Sequence, residues 1–430
     1  MWSFQNPVKI IFGPDEFYNS DKIIAGRKYG LITYPNSPFN ELAQKLQKSA
    51  GTPTLVINNV APNPDYELLR RQTETLKNHL DKIIAGRKYG LITYPHSPFN
   101  ELAQKLQKSA GIPTLVINNV APNPDYELLR RQTETLKNHL DKTDVLVALG
   151  GGSVIDTAKV LSFSRGDFSI VTEFLEKRKQ QPLDKLELPI IAIPTTSGTG
   201  SEVTRWATVW NRQTSKKYSL DHPNLFPSFA VIDPTLMIAK SKELTLVTAL
   251  DALSHSMESI WNKNANPLST KYAIEASRKI LKYLPLLTQD LSSIHLRTKL
   301  AEASLLAGLA FSNTKTALAH NLSYPMTLRW GIEHGIACSF TLPLIMRSVE
   351  NIESEQKLAL EAIFETDLQN GSKKLEKFLT NLGISIDYSD YGISHEEFLN
   401  ITEGAFLGER GKNFFGRKED FIYELNKEKA

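Results

Sequence analysis

The sequence predicts a parallel α/β domain in residues 1–240, followed by an all-helical domain in residues 241–430. Short, apolar, β-branched strands alternate with helical segments through about residue 240, which is the pattern of a parallel sheet covered by helices. Beyond that point apolar residues recur only at helical spacing, and no convincing strand follows. Two glycine-rich loops that directly follow strands in the first part favour a bound dinucleotide there.

Residues 21–80 and 81–140 are the same 60-residue segment twice. The two copies differ at two positions, which are Asn36 against His96 and Thr52 against Ile112. Each copy predicts a strand, a helix, a second strand and a second helix. A predicted strand at 7–13 precedes them, and only one copy is needed to complete the sheet. Either copy could serve, but we expect 81–140 (copy 2) rather than 21–80 (copy 1), because copy 2 runs directly into the next strand and Ile112 suits burial better than Thr52.

Composition excludes several classes of function. The 430 residues carry a formal charge of +3, which is too small to argue for a nucleic-acid partner or a membrane surface. The single cysteine, Cys338, cannot form an intramolecular disulfide, which fits a reducing compartment. We see neither a spanning apolar run nor the basic and apolar regions of a signal peptide. A cytoplasmic protein without a nucleic-acid or membrane partner is therefore expected.

The stretch Gly150-Gly151-Gly152-Ser153 joins a predicted strand to a predicted helix. Glycines let the backbone approach a phosphate closely, and the helix N-terminus offers free N–H groups to it. Alone, a tight turn without a ligand explains this stretch equally well, since it is not the G-x-G-x-x-G fingerprint. A second loop, Thr195 to Gly200, has the same small and hydroxyl-bearing character, and the pair favours a dinucleotide.

Asp251 and His255 lie four residues apart in a predicted helix, so their side chains leave the same face. A carboxylate and an imidazole at this spacing can hold one metal ion. Such a pair by itself is more often only hydrogen-bonded or solvated. Two further histidines, His320 and His334, follow in apolar helical segments and supply the number of ligands that a metal needs.

Four motifs occur in order: ALGGGSVIDTAK, PTTSGTGSEVT, DALSHSMES and AHNLSYPMTLRWGIEHGIAC. Together they resemble the iron-containing (group III) alcohol dehydrogenase family, most closely its phosphonoacetaldehyde reductase branch. The resemblance implies a Rossmann-like dinucleotide-binding domain and a helical metal-binding domain, in the dehydroquinate synthase-like architecture. It also implies reduction of phosphonoacetaldehyde to 2-hydroxyethylphosphonate, and a possible homodimer.

The resemblance assigns roles to individual residues. The metal, Fe²⁺ or Zn²⁺, would be held by Asp251, His255, His320 and His334. The cofactor, NAD or NADP, would contact Gly151, Gly152, Ser153, Thr195, Thr196, Thr204, Lys217, Asn123 (or Asn63 of copy 1) and Tyr94 (or Tyr34 of copy 1). The two tyrosines stand where NAD-using members often carry an aspartate, and loss of that acid makes NADP plausible.

Tyr324 stands where many members of this family place a proton-relaying histidine. A phosphonate needs cations near the metal, and the candidates are Arg205, Lys315 and Arg329. Three alternatives remain open: a short-chain alcohol or aldehyde reductase of the same family, a dehydroquinate synthase-like non-redox enzyme, and a chain that the duplication has inactivated.

Overall fold

A computed structural model describes residues 30–32, 55–57, 84, 87–95, 97–177, 188–211 and 216–427. The chain divides into two compact units. The first unit comprises Met1–Pro7, Lys88–Ala103 and Pro113–Ala430, and the second comprises Val8–Arg87 and Gln104–Ile112. The predicted strand at 7–13, together with Tyr34 and Asn63, lies outside the described residues.

The second unit contains two described strands from copy 1, β1 (Gly30–Ile32) and β2 (Leu55–Ile57). They pair with each other in parallel, with Gly30 opposite Leu55. They form a two-stranded sheet separate from the main one.

The first unit is built on a five-stranded parallel sheet. Its strands are β3 (Tyr89–Ile92), β4 (Leu115–Ile117), β5 (Val145–Gly150), β6 (Ile190–Pro194) and β9 (Phe229–Ala230), in the order β4-β3-β5-β6-β9. Strand β5 is buried along its whole length, which explains its continuous apolar sequence. Both strands of copy 2 lie in this sheet, so the prediction that copy 2 takes the native position is confirmed. One reason given for it was wrong, because Ile112 is 90% exposed.

Four helices accompany these strands: α1 (Phe99–Ala110), α2 (Tyr126–Lys137), α3 (Gly152–Ser164) and α4 (Phe168–Lys177). Asp125 caps α2 by accepting a hydrogen bond from the backbone N–H of Glu127. Helix α3 is buried on almost every side, because it packs between the sheet and a separate hairpin. This position fixes the N-terminus of α3 at the end of β5.

The hairpin consists of β7 (Trp206–Asn211) and β8 (Lys216–Asp221). The sequence correctly predicts a strand at 206–210, but that strand is not part of the parallel sheet. It pairs antiparallel with β8, and Trp210 lies opposite Lys217. The hairpin therefore turns Lys217 toward the same region as the loops after β5 and β6.

Every regular element of residues 241–427 is helical, as the sequence predicts. The helices are α5 (Lys242–Ile260), α6 (Pro267–Leu287), α7 (Ile294–Thr314), α8 (Leu318–Trp330), α9 (His334–Ser339), α10 (Leu342–Arg347), α11 (Glu355–Phe364), α12 (Leu368–Asn381), α13 (His395–Leu407) and α14 (Lys418–Lys427). They share one large apolar core, in which Trp261 and Phe414 are fully buried. Helix α5 lies at its centre against α6, α7 and α9. Across the described residues, no helix combines the length and apolar character needed to span a membrane.

Candidate active site

A cavity of about 430 Å³ opens within the first unit. Its walls come from both glycine loops, the β7–β8 hairpin and helices α5, α7, α8 and α9. Of the residues with predicted roles, ten line it: Asn123, Gly152, Ser153, Thr204, Lys217, Asp251, His255, His320, Tyr324 and His334. The two halves of the predicted site, one for a cofactor and one for a metal, therefore share a single cavity.

The first glycine loop brings the N-terminus of α3 to this cavity. A Cβ on Gly150 would lie 2.5 Å from a methyl of Val154, and one on Gly152 would lie 2.7 Å from Thr199. Glycine is thus required for the tight packing of the loop. The backbone N–H of Asn123 donates to Oγ of Ser153 over 3.3 Å, which draws the loop after β4 to the same helix end. The free N–H groups of this 13-residue helix can receive a phosphate.

The glycines of the second loop have a packing role that the sequence did not indicate, and Thr199 of this loop lines the cavity. A Cβ on Gly198 would lie 2.5 Å from the carbonyl oxygen of Thr248 in α5, and Gly200, with φ +59°, lies against Gly308 of α7. Its glycines therefore let the loop pack closely on two helices. Thr195 is buried and Thr196 faces a separate, much smaller cavity, so neither lines the main one.

Two other predicted cofactor residues lie just behind the lining. The hydroxyl of Tyr94 is 3.8 Å from the position of a Cβ on Gly151. Burial raises the pKa of Tyr94, and a hydrogen bond with Ser153 opposes that rise. Tyr94 thus supports the glycine loop from the side of the sheet.

A buried ionic network beneath the loops was not anticipated from the sequence. The Lys159 ammonium donates to the carbonyl and hydroxyl oxygens of Ser201 at 2.7 and 2.9 Å and to the carbonyl of Trp206 at 2.8 Å. Asp156 accepts from Ser201 Oγ at 2.6 Å and from the N–H of Thr208 at 2.8 Å. Burial lowers the pKa of Lys159 to about 8, although Asp156 opposes that shift. The available signal was Asp156 and Lys159, two charged residues in a helix that is buried on almost every side.

The predicted metal ligands converge on one carboxylate oxygen. Oδ1 of Asp251 lies 3.7 Å from Nε2 of His255, 3.4 Å from Nε2 of His320 and 3.9 Å from Nε2 of His334. Helix α5 supplies the first two residues at i and i+4, while α8 and α9 supply the others. Three imidazoles thus direct nitrogen atoms at one buried acid.

The chemistry of this cluster fits a divalent cation. Oδ1 of Asp251 and Nε2 of His320 are buried and find no hydrogen-bond partner among the described residues. Leaving each such atom unpaired costs about 1–3 kcal/mol, and a metal ion would satisfy both. Burial lowers the pKa of His255 to about 4 and lowers that of His334 as well, so both imidazoles stay neutral and able to bind a cation. Burial alone would raise the pKa of Asp251, but the imidazoles, His255 foremost, hold it well below its usual range.

Surrounding groups orient these side chains. Oε2 of Glu258 lies 2.5 Å from Nδ1 of His320, and its Oε1 accepts from the backbone N–H of His320 at 3.0 Å. This contact leaves Nε2 of His320 facing Asp251. The ring of His255 stacks on Phe311, with centroids 4.0 Å apart and planes 5° apart. Glu258 lies seven residues after Asp251 on the same helix, which is the spacing that could have indicated it.

Cys338 also reaches the cluster. Its sulfur is 3.8 Å from Nε2 of His334, and the ligand atoms of Asp251, His320, His334 and Cys338 all lie within 4.8 Å of one another. Cys338 follows His334 by one helical turn, so the sequence contained this signal too. Burial raises the pKa of Cys338, which keeps its thiol protonated.

The predicted substrate cations do not reach the cavity. Arg205 and Lys315 both pair with Asp221, at 2.8 and 3.0 Å, and Arg329 is exposed on α8. The cations that do line the cavity are Lys217 and Arg410, of which the sequence interpretation missed Arg410. Both lie against the ring of Tyr324. The Lys217 ammonium is 3.9 Å from the ring centroid, and the Arg410 guanidinium carbon is 5.7 Å from it.

A helix N-terminus suited to phosphate and a buried set of metal ligands in one cavity are features of metal-dependent dinucleotide oxidoreductases. Two family models match the chain: iron-containing alcohol dehydrogenase over residues 80–234, and the C-terminal part of the Fe-containing alcohol dehydrogenase family over residues 245–427. The chain therefore belongs to the iron-containing alcohol dehydrogenase family, and it is an alcohol dehydrogenase in the broad sense of an aldehyde–alcohol oxidoreductase. The first of these matches begins at the end of copy 1 and takes in copy 2.

Individual relatives agree with this membership. Long-chain-alcohol dehydrogenase 1 of Geobacillus thermodenitrificans is 30% identical over 332 residues, covering 75% of this chain and 81% of the relative. NAD-dependent methanol dehydrogenase of Bacillus methanolicus is 28% identical over 337 residues, covering 76% and 87%. The iron-containing alcohol dehydrogenase of Thermotoga maritima superposes with a TM-score of 0.66 at 30% identity, covering 82% and 94%.

The predicted fold class is confirmed by such structures. The sulfoacetaldehyde reductase of Bifidobacterium kashiwanohense, crystallised with NAD⁺, superposes with a TM-score of 0.77 and covers 100% of this chain and 98% of its own. At 23% identity this likeness concerns the fold alone.

Proposed function

We propose that this enzyme reduces phosphonoacetaldehyde to 2-hydroxyethylphosphonate with NADH or NADPH. The observation that carries the proposal is the cavity itself, which joins a buried Asp–His₃ cluster to a helix N-terminus and two cationic side chains. The cluster and the helix support an aldehyde–alcohol reaction with a dinucleotide. The second of the two cations, Arg410, favours a substrate with an anionic tail.

We propose that the pyrophosphate of the cofactor lies at the N-terminus of α3, against Gly152, Ser153 and Asn123. The nicotinamide would supply the hydride. Thr204 and Lys217, further along the wall, would contact its ribose end. Since Tyr94 replaces the acid that would repel a 2′-phosphate, we propose that NADP(H) is accepted as well as NAD(H).

We propose Asp251, His255, His320 and His334 as the residues that hold Fe²⁺ or Zn²⁺. The bound cation would act as a Lewis acid toward the carbonyl oxygen of the aldehyde. Tyr324 is the proposed proton relay to that oxygen. Its ring lies parallel to His334, at 5° and 6.2 Å between centroids, and the Lys217 ammonium lies 3.9 Å from the centroid of the same ring.

We also propose that residues 1–240 form the dinucleotide-binding domain and residues 241–430 the metal-binding domain. The change from sheet to helices around Ser241, which caps α5, supports this division. A homodimer is proposed as well, and light scattering of the purified protein tests it directly.

The test is NAD(P)H oxidation with phosphonoacetaldehyde, with propanal and glycerol as comparison substrates, in protein loaded with Fe²⁺ or Zn²⁺. We expect turnover of phosphonoacetaldehyde to exceed that of propanal. Propanal turnover without phosphonoacetaldehyde turnover would instead establish a short-chain reductase. Absence of turnover with every aldehyde, in folded and metal-loaded protein, would refute the oxidoreductase proposal for this duplicated chain.

A further inference from the structure

We propose that Arg410 is the residue that binds the anionic group of the substrate, and that it therefore sets the preference for a phosphonate-bearing aldehyde over a neutral one. This inference rests on the proposed function, since it names a contact of that same substrate in the same cavity. It replaces Arg205, Lys315 and Arg329 as the source of the positive charge.

The position of Arg410 is fixed by a tight loop after α13. A Cβ on the next residue, Gly411, would lie 1.9 Å from the carbonyl oxygen of Ala405, so the loop can close only with glycine there. Asn413 donates from Nδ2 to the carbonyl oxygen of Thr316 at 2.9 Å, and Arg410 donates from Nη1 to the Thr316 hydroxyl. The loop thus presents the half-buried guanidinium to the cavity in a defined orientation.

Among the residues that the structure describes, Arg410 has no carboxylate within ion-pair distance. In the described part of the chain neither Arg410 nor Lys217 forms an ion pair, whereas Arg205 and Lys315 share Asp221. A guanidinium has five N–H donors in a planar fork, and the hydroxyl of Thr316 accepts one of them. The remaining donors suit the tetrahedral oxygens of a phosphonate, which guanidinium groups bind in pairs of hydrogen bonds.

The distances suit a short substrate. The ring of Tyr324 lies close to both Arg410 and the histidine cluster: its centroid is 5.7 Å from Cζ of Arg410 and 6.2 Å from the centroid of His334. The guanidinium and the cluster therefore border the same aromatic ring. A two-carbon aldehyde with its carbonyl at the cluster would extend its anionic end along Tyr324 toward Arg410.

The test compares the wild type with Arg410→Met and Arg410→Lys on phosphonoacetaldehyde and on propanal. The measured quantity is the ratio of kcat/KM for the two aldehydes. Removal of a charge-assisted contact should lower this ratio about 10- to 100-fold in Arg410→Met, mostly through KM for phosphonoacetaldehyde. Arg410→Lys, which keeps the charge but loses the fork, should lower it by an intermediate factor.

Arg329→Met is the matched control, because it removes one arginine charge from outside the cavity, and its ratio should equal that of the wild type. A purely structural role for Arg410 would lower kcat/KM for both aldehydes alike and leave the ratio intact, which would overturn the proposal. An unchanged ratio in an active Arg410→Met enzyme would overturn it equally. Failure of the wild type on every aldehyde is a separate result, because it refutes the proposed function itself. Should Arg410→Met not fold, the Arg410→Lys ratio decides alone.

Discussion

Replacing Glu258 with glutamine should weaken metal binding although this side chain is not a proposed ligand. Glu258 is completely buried and uses both carboxylate oxygens on His320, one for the backbone N–H and one for Nδ1. Burial alone would raise the pKa of Glu258, but these contacts with His320 outweigh it and lower that pKa, so the group is a carboxylate. A carboxylate that accepts from Nδ1 leaves the lone pair of Nε2 free for the metal.

Glutamine has one acceptor and one donor where glutamate has two acceptors. If the glutamine oxygen faces Nδ1, the glutamine NH₂ meets the backbone N–H of His320. If the amide is reversed, the His320 ring must move its proton from Nδ1 to Nε2, the atom proposed to bind the metal. Either arrangement leaves one buried donor unsatisfied, at a cost of about 1–3 kcal/mol. We therefore expect Glu258→Gln to bind Zn²⁺ about 10- to 100-fold more weakly.

The assay is titration of metal-free protein with Zn²⁺ against a competing chromogenic chelator. Glu302→Gln serves as the control, because it removes the charge of a partly exposed acid that pairs with Lys279 and Lys299 on the surface. Wild-type affinity in a folded Glu258→Gln protein would show that the carboxylate does not orient His320, and would refute the reasoning.

Three further outcomes follow from the structure. Gly198→Ala forces a Cβ to 2.5 Å from a carbonyl oxygen of α5, so it should lower the Tm by several degrees in thermal unfolding. Gly404→Ala lies in an open position within α13, and its Tm should equal or exceed that of the wild type. Burial raises the pKa of Glu202 to about 7 from 4.5, so the folded protein holds a proton that the unfolded chain loses, and stability should fall as pH rises from about 4.5 to 7. Glu202→Gln should abolish that fall and stabilise the protein at pH 8 by up to about 3 kcal/mol in urea unfolding. His255→Ala should lose bound metal, whereas Cys338→Ala should keep the metal-to-protein ratio of the wild type. The cobalt-substituted wild type should show no sulfur-to-cobalt charge-transfer band.

Each of these predictions can be contradicted by a specific result. Equal Tm values for the two glycine variants would mean that the second loop is not held tightly on α5. A stability profile that is flat between pH 5 and 8 in the wild type would show that Glu202 is ionised in the folded state. A sulfur-to-cobalt band would show that Cys338 is a ligand. If the His255→Ala variant also keeps its metal, His255 is removed from the proposed set of ligands.

The Asp–His₃ cluster could be predicted because its signal is local or belongs to a family motif. Asp251 and His255 are one helical turn apart, and the motifs around His320 and His334 resemble those of a known family. The orienting group Glu258 could not be predicted although it lies on the same helix, since a single acid in a helix is usually solvated. Its role depends on the packing of α8 against α5, which the sequence does not display.

The substrate cations show the opposite case. Arg205 and Lys315 were chosen because they lie near motifs in the sequence, but Asp221, from the second strand of a hairpin, binds both. Arg410 is far in sequence from every motif and reaches the cavity only through the loop that Thr316 anchors. Proximity in sequence was therefore a poor guide to which cations line the cavity.

Because the segment is duplicated, either copy could supply strands to the five-stranded sheet. In the native arrangement Tyr89 pairs with Val145, and the equivalent strand of copy 1 is about twice as far from that partner along the chain. A doubling of loop length costs about 0.6 kcal/mol, which alone would favour copy 2 by only about threefold. Because Ile112 is exposed, its burial does not contribute to the preference for copy 2. Meanwhile β1 and β2 already hold the same register as β3 and β4. During synthesis copy 1 emerges first, so newly made molecules are expected to divide between two sheet assemblies before copy 2 prevails.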